Sequence, residues 1–236
     1  MLATGAGSYN LKVPEPIETD WHLSPGQAIR LQRQLASMVV TKGDVAHVEL
    51  VAGVDLSVDR QTGTGRAAVV MLDYPALDIV EVSRCEGKLE FPYIPGLLSF
   101  RELPLMLEAF RKLKHKPGLV MVDGHGLAHP RRLGIATHLG LAIEVPAIGC
   151  AKSCLCGSFV QPSEAAGSTS PLMDGGEQIG TVLRTRRAVK PVFISPGNRI
   201  SMKESTRWAL LTCRGYRLPE PVRQAHQSAG KKPVEV

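Results

Sequence analysis

Three carboxylates occupy positions where a carboxylate is locally surprising. Asp55 follows the apolar run Leu50-Val51-Ala52-Gly53-Val54, Asp123 closes the apolar run Leu119–Val122, and Glu102 stands near the start of an amphipathic stretch. Burying an ionised carboxylate in such surroundings costs several kcal/mol unless something pairs with it. If the strands carrying Asp55 and Asp123 are neighbours, the two acids come within a few ångströms and Glu102 reaches over from a helix. Clustered carboxylates raise one another's pKa, and a divalent cation relieves the repulsion. Hard oxygen ligands in a part-hydrated site suit Mg²⁺, with Mn²⁺ as a substitute. Lys152, at the end of the apolar run Ala147–Ala151, is placed to hold a phosphate or position a water beside that cluster. Each acid also has a plainer use. Ser99-x-x-Glu102 fits a capping box, Asp123-Gly124 fits a turn after a strand, and a buried Asp55 can accept backbone hydrogen bonds. As a set, in this strand order, they point to a metal site.

The segment Phe91-Pro92-Tyr93-Ile94-Pro95-Gly96 reads as a stiff loop. Two prolines fix the backbone around a protruding Tyr93-Ile94 pair, the kind of apolar wedge that proteins insert between stacked bases. An ordinary loop packing its Tyr onto the core is the alternative. Gly96, Gly124 and Gly126 lie close to the wedge and the acids, where glycine lets backbone amides approach a flat ligand such as an extruded base. Cys150, Cys154 and Cys156 do not have the spacing of a zinc site, and no second pair completes four ligands.

The elements that must position these residues follow from pattern and punctuation. Ser24-Pro25 starts a helix running to about Thr41. Segments 47–58, 66–72 and 78–84 read as an antiparallel meander, and 98–113 as a helix. Leu119–Val122 reads as a central strand, 130–143 as a helix, and Ala147–Ala151 as a short strand. Thr181–Arg186 with Pro191–Ser195 reads as a hairpin or edge pair, and Ser201–Cys213 as a helix. Gln161–Gly176, rich in Ser, Gly and Pro, reads as a mobile loop. A mixed α/β sheet flanked by helices is expected. An N-terminal arm over 1–22, one domain over 23–228 and a flexible tail over 229–236 are expected.

The 236 residues carry a net charge of +6. Residues 1–183 hold 16 basic and 19 acidic residues, whereas 184–236 hold 12 basic and three acidic. The basic excess at the C-terminal end suits a polyanion's backbone. No apolar run is long enough for a membrane helix, and five cysteines without a disulfide pattern suit a reducing compartment. A soluble cytoplasmic protein, with no membrane partner and monomeric, is expected.

Taken in order, several stretches resemble the endonuclease V family. They are Gly53-Val54-Asp55, Phe91–Gly96, Leu98-Ser99-Phe100-Arg101-Glu102, Val122–Gly126, His129-Pro130-Arg131, Gly149–Lys152 and Arg214–Pro221, spread over about residues 24–228. That family comprises deoxyinosine-directed repair nucleases of the ribonuclease H-like fold. The resemblance implies that Asp55, Glu102 and Asp123 bind the metal and that Lys152 is an essential basic residue. It implies that Pro92, Tyr93, Ile94 and Pro95 form the strand-separating wedge, and that Gly96, Leu98, Gly124, Gly126 and His129 line the pocket for the flipped base. The implied substrate is DNA containing deoxyinosine, with other deaminated bases or mismatches as further substrates. The implied cut is the second phosphodiester bond 3′ to the lesion, leaving 3′-hydroxyl and 5′-phosphate ends. An endonuclease acting mainly on inosine in RNA, or a non-catalytic nucleic-acid-binding module of the same fold, are the alternatives. One departure stands out. After Ser195-Pro196-Gly197 the family usually has His, expected near the metal, and this chain has Asn198.

Overall fold

The computed structural model describes residues 21–230. Most of the expected N-terminal arm and residues 231–236 of the expected tail lie outside them. Ser24 caps helix α1 (Pro25–Ala36) in a reciprocal capping box with Gln27, and the helix stops at Ser37, short of the expected Thr41. Strands β1 (Leu50–Val58), β2 (Thr64–Asp73) and β3 (Ile79–Lys88) form the expected antiparallel meander. Helix α2 (Leu98–Arg111) leads into β4 (Leu119–Val122), and α3 (Ile135–Ile143) into β5 (Ala147–Ala151). Residues 130–134 form a turn before α3 where the sequence suggested helix already. Part of the expected loop 161–176 is a strand, β6 (Thr169–Asp174), which pairs with β7 (Glu177–Leu183). Only the pairing reveals it, because Ser, Pro and Asp are poor strand formers. Strand β8 (Val192–Asn198) pairs with both β7 and β5, so it is interior and not an edge. Helices α4 (Met202–Leu211) and α5 (Glu220–Ala229) complete the chain, and α5 was not anticipated.

The eight strands form one mixed sheet in the order β3-β2-β1-β4-β5-β8-β7-β6. Strands β1, β4 and β5 run parallel at its centre, and all four residues of β4 are buried. Alternation along the strands splits the core in two. Ala52, Val54 and Leu56 pack with α2 and α3, whereas Val51, Leu119 and Met121 pack with α4 and α5. Each such side chain removed from water contributes about 1.5–3 kcal/mol before entropy is counted. No helix among the described residues is long and apolar enough to cross a membrane.

Candidate active site

Parallel pairing of Val54 with Val122 sets the end of β4 beside Asp55 in the middle of β1, and the Asp123 amide donates to the Val54 carbonyl at 2.9 Å. Asp55 falls on the same sheet face as Val51, the face covered by α5. Gly53 makes that approach possible: a Cβ there would lie 1.8 Å from the Pro221 carbonyl oxygen. The Gly-Val-Asp motif therefore admits the first turn of α5 onto β1, and the helix then lowers His226 onto the acid. His226 Nδ1 lies 2.7 Å from Asp55 Oδ2 and 3.7 Å from Asp123 Oδ2. The Lys152 ammonium donates to Asp123 Oδ2 and lies 3.3 Å from His226 Nδ1. Arg217 anchors this residue by donating to the Lys152 carbonyl at 2.6 Å.

One ligand atom each from Asp55, Asp123 and His226 fall within 4.8 Å of one another. Two carboxylate oxygens and an imidazole nitrogen at this spacing could hold a divalent cation. Glu102 stands outside this trio, because it comes from α2 on the opposite face of the sheet. It nonetheless senses the pair: burial first, then the charge of Asp55 with a smaller push from Asp123, raises its pKa to about 8, against the pull of Arg101. Burial and Asp55 likewise raise Asp123, while the bond to Asp55 raises His226. A carboxyl held protonated at neutral pH beside two others marks a place where positive charge is in demand.

The capping alternative for Glu102 does not occur. Leu97 is the N-cap of α2 without a side-chain bond, and the Ser99 hydroxyl instead meets His138 Nδ1 at 3.1 Å. Without a side-chain cap, the Phe100 amide donates back to the Leu97 carbonyl at 3.1 Å, and the amides before it in the turn have no side-chain partner. They border a cavity of about 290 Å³ lined by Tyr93, Gly96, Leu98, Gly124, His129 and Ile135, among others. Gly96 is fixed there, since its carbonyl accepts from Arg131 Nη2 at 2.7 Å, Gln32 Nε2 at 3.0 Å and His129 Nε2 at 3.1 Å. His129 Nδ1 accepts from the Arg131 amide, so Nε2 carries the proton, and burial then Arg131 lowers the ring's pKa to about 4.

Tyr93 protrudes, 72% exposed, with Pro92 and Pro95 exposed beside it. Ile94 does not share the tip. It packs with Phe91, Leu97 and Phe100 at the loop's root, where Arg101 also donates to the Phe91 carbonyl. Gly126 does not line the cavity either. Its amide donates to Ser195 Oγ at 2.9 Å, and a Cβ would sit 2.2 Å from the Pro196 carbonyl oxygen, so its service is to packing. Asn198 is misplaced in the sequence reading. It pairs with Ala147, at the opposite end of β5 from Lys152, because β8 runs antiparallel to β5. The imidazole at the cluster is His226. Its signal was available: Pro219-Glu220-Pro221 marks a helix start, and His226 follows one turn after the buried Val222.

The chain matches the Endonuclease V family model over residues 33–227. It is 53% identical over 212 residues to an endonuclease V of Dehalococcoides mccartyi, covering 90% of this chain and 95% of that one. The crystal structure of a Streptomyces avermitilis endonuclease V superposes with a TM-score of 0.85 at 38% identity, over 90% of this chain and 94% of that one. A Ciona intestinalis endonuclease V, solved with a 24mer DNA containing an inosine followed by a ribo-adenosine, shares the fold with a TM-score of 0.76 at 23% identity, over 86% and 95% of the two chains. The sheet order, the acidic cluster and these similarities agree: the chain is an endonuclease with the ribonuclease H-like fold and belongs to the endonuclease V family.

Proposed function

We propose that this endonuclease acts on DNA containing deoxyinosine, drawing the base into the cavity beside Tyr93 and hydrolysing the second phosphodiester bond on its 3′ side. One observation carries this: the same two segments build both the acid cluster and the cavity wall. Asp123 faces the acids while Gly124 lines the cavity, and on α2 Glu102 senses the acids while Leu98 and Ser99 line the cavity. A base held in the cavity therefore has its own backbone leading past the carboxylates, which presents a bond beyond the flipped nucleotide. The inosine-containing DNA held by the Ciona relative supports this choice of substrate.

Asp55, Asp123 and His226, with Glu102 from the far side, would hold Mg²⁺, which supplies charge stabilisation to a phosphate and acidifies a water. Tyr93 enters the stack beside the lesion, and extrusion costs a few kcal/mol, less for a weakly paired inosine. Fixed main-chain groups of Gly96, Gly124 and the uncapped start of α2 suit the polar edge of a purine. Lys152 exchanges Asp123 for a phosphate oxygen, a point charge it can deliver without strict geometry. Protonated Glu102 and the paired His226 are the groups that release or take up protons when a cation enters.

Nicking of a single-inosine duplex in Mg²⁺, with uracil, abasic, mismatch and inosine-RNA substrates in parallel, tests the proposal. The expected product is a single nick one nucleotide beyond the bond immediately 3′ to inosine, lost on chelation. Equal cutting of undamaged duplex would sink it.

A further inference from the structure

Tyr93 is the wall of two cavities, not one. Beside the base cavity lies a cleft of about 520 Å³, formed by Val58 at the end of β1, Asp59, Arg60 and Gly63 of the β1–β2 turn, Tyr93, and Arg101 and Glu102 of α2. The first turn of α2 divides the two: Leu98 and Ser99 face one, Arg101 and Glu102 the other. We infer that this cleft takes the phosphodiester backbone of the nucleic acid on the side of Tyr93 away from the extracted base, with Arg60 as a phosphate contact. The inference rests on the function proposed above.

The charge distribution argues for a strand here. A phosphodiester passing three carboxylates is repelled except where a cation stands, so it needs positive charge on its outer side. The basic C-terminal segment supplies less of this than its composition suggests. Arg184 donates to the carbonyls of Pro162, Ser163 and Val189, Arg214 to Pro75 and Ala76, and Arg217 to Lys152, Lys190 and Pro191. These guanidinia brace loops. Arg101 is similarly occupied with the Phe91 carbonyl at the root of the wedge. Arg60, by contrast, is exposed on a turn whose backbone is held: the Gln61 amide donates to Asp59 Oδ1 at 3.0 Å and the Gly63 amide to the Asp59 carbonyl at 2.8 Å. It follows Asp55 by five residues, beyond the end of β1 at Val58, and so lies at most about 17 Å from it at strand rise. About five nucleotide steps of about 3.4 Å each span that distance. A guanidinium beside an aromatic ring suits a phosphate followed by its sugar or base.

The test uses the full chain with a labelled duplex carrying one inosine, and the same duplex with adenine, in EDTA. Arg60→Ala should weaken binding to both by about tenfold near 0.1 M salt and lower the salt slope by about one. Arg60→Lys should retain most of the affinity. In phosphate-ethylation interference, one phosphate that inhibits the wild type should lose its effect in Arg60→Ala. An unchanged salt slope and interference pattern overturns the contact, even if inosine nicking is intact. If the wild type shows no inosine preference or nicking while Arg60→Ala still loses one phosphate contact, the inference stands and the deoxyinosine assignment falls.

Discussion

The two ends of the central strands treat polar side chains in opposite ways. Around the ends of β4 and β5, Asp55, Asp123, Glu102, Lys152 and His226 converge, and burial first, then the charge of Asp55, raises the pKa of both Glu102 and Asp123. At the other end Asn198 is also buried but neutral and bonded at both ends of its amide: its Oδ1 accepts from the Val40 amide at 3.1 Å and its Nδ2 donates to the Gly140 carbonyl at 3.2 Å. Polar burial alone therefore does not identify a site. What distinguishes the functional end is charge left in want of a cation, where the structural end closes its hydrogen bonds among its own groups.

Four experiments break or sharpen that contrast. Asp123→Asn should lower nicking by about 10³-fold or more, several kcal/mol of lost charge stabilisation, with the circular dichroism spectrum unchanged. Only the charged end should respond so in rate. Second comes the neutral body between the ends. His138 on α3 is fully desolvated against Phe100 and Trp21, and its pKa falls to about 4. Its free value near 6.5 lies above this, so the stability it permits is present above about pH 6.5 and lost as pH falls towards 4. The loss is about 3 kcal/mol, visible in denaturant titrations at pH 7 and pH 4.5 and reduced in His138→Gln. Third, Asn198→Ala should cost about 2 kcal/mol of stability by orphaning the Val40 amide and the Gly140 carbonyl, while nicking stays within about twofold. A loss of activity without a loss of stability would return Asn198 to the site. The smallest stability effect belongs to Tyr93→Ala, within about 0.5 kcal/mol because the ring is exposed. That variant should nevertheless lose preference for inosine over undamaged duplex, and unchanged discrimination would remove the wedge from the mechanism.

Much of the frame was legible in the chain. The Ser24-Pro25 cap, the meander, the four-residue apolar run of β4 and the short β5 follow from local pattern, and with them the meeting of Asp55 and Asp123. Less legible was anything decided across the sheet. Ser99-x-x-Glu102 has the letters of a capping box, yet packing of Ser99 against His138 claims the hydroxyl. Tyr93 and Ile94 look alike as a protruding pair, but only Tyr93 faces outward, since Ile94 completes the cluster around Phe91 and Phe100.

The sequence by itself determined that Asp55 and Asp123 sit on apolar strand segments and meet if those strands are neighbours, which the parallel pairing of β1 and β4 makes them. Only the tertiary structure decided which side chains joined them. Asn198, 46 residues after Lys152, is carried to the far end of the sheet by the antiparallel run of β8. His226, 171 residues after Asp55, is brought to 2.7 Å because Gly53 leaves room for α5 to lie on β1. Distance along a chain says little about distance in the fold: strand direction and the space between packed elements set it, and both depend on residues far from the site.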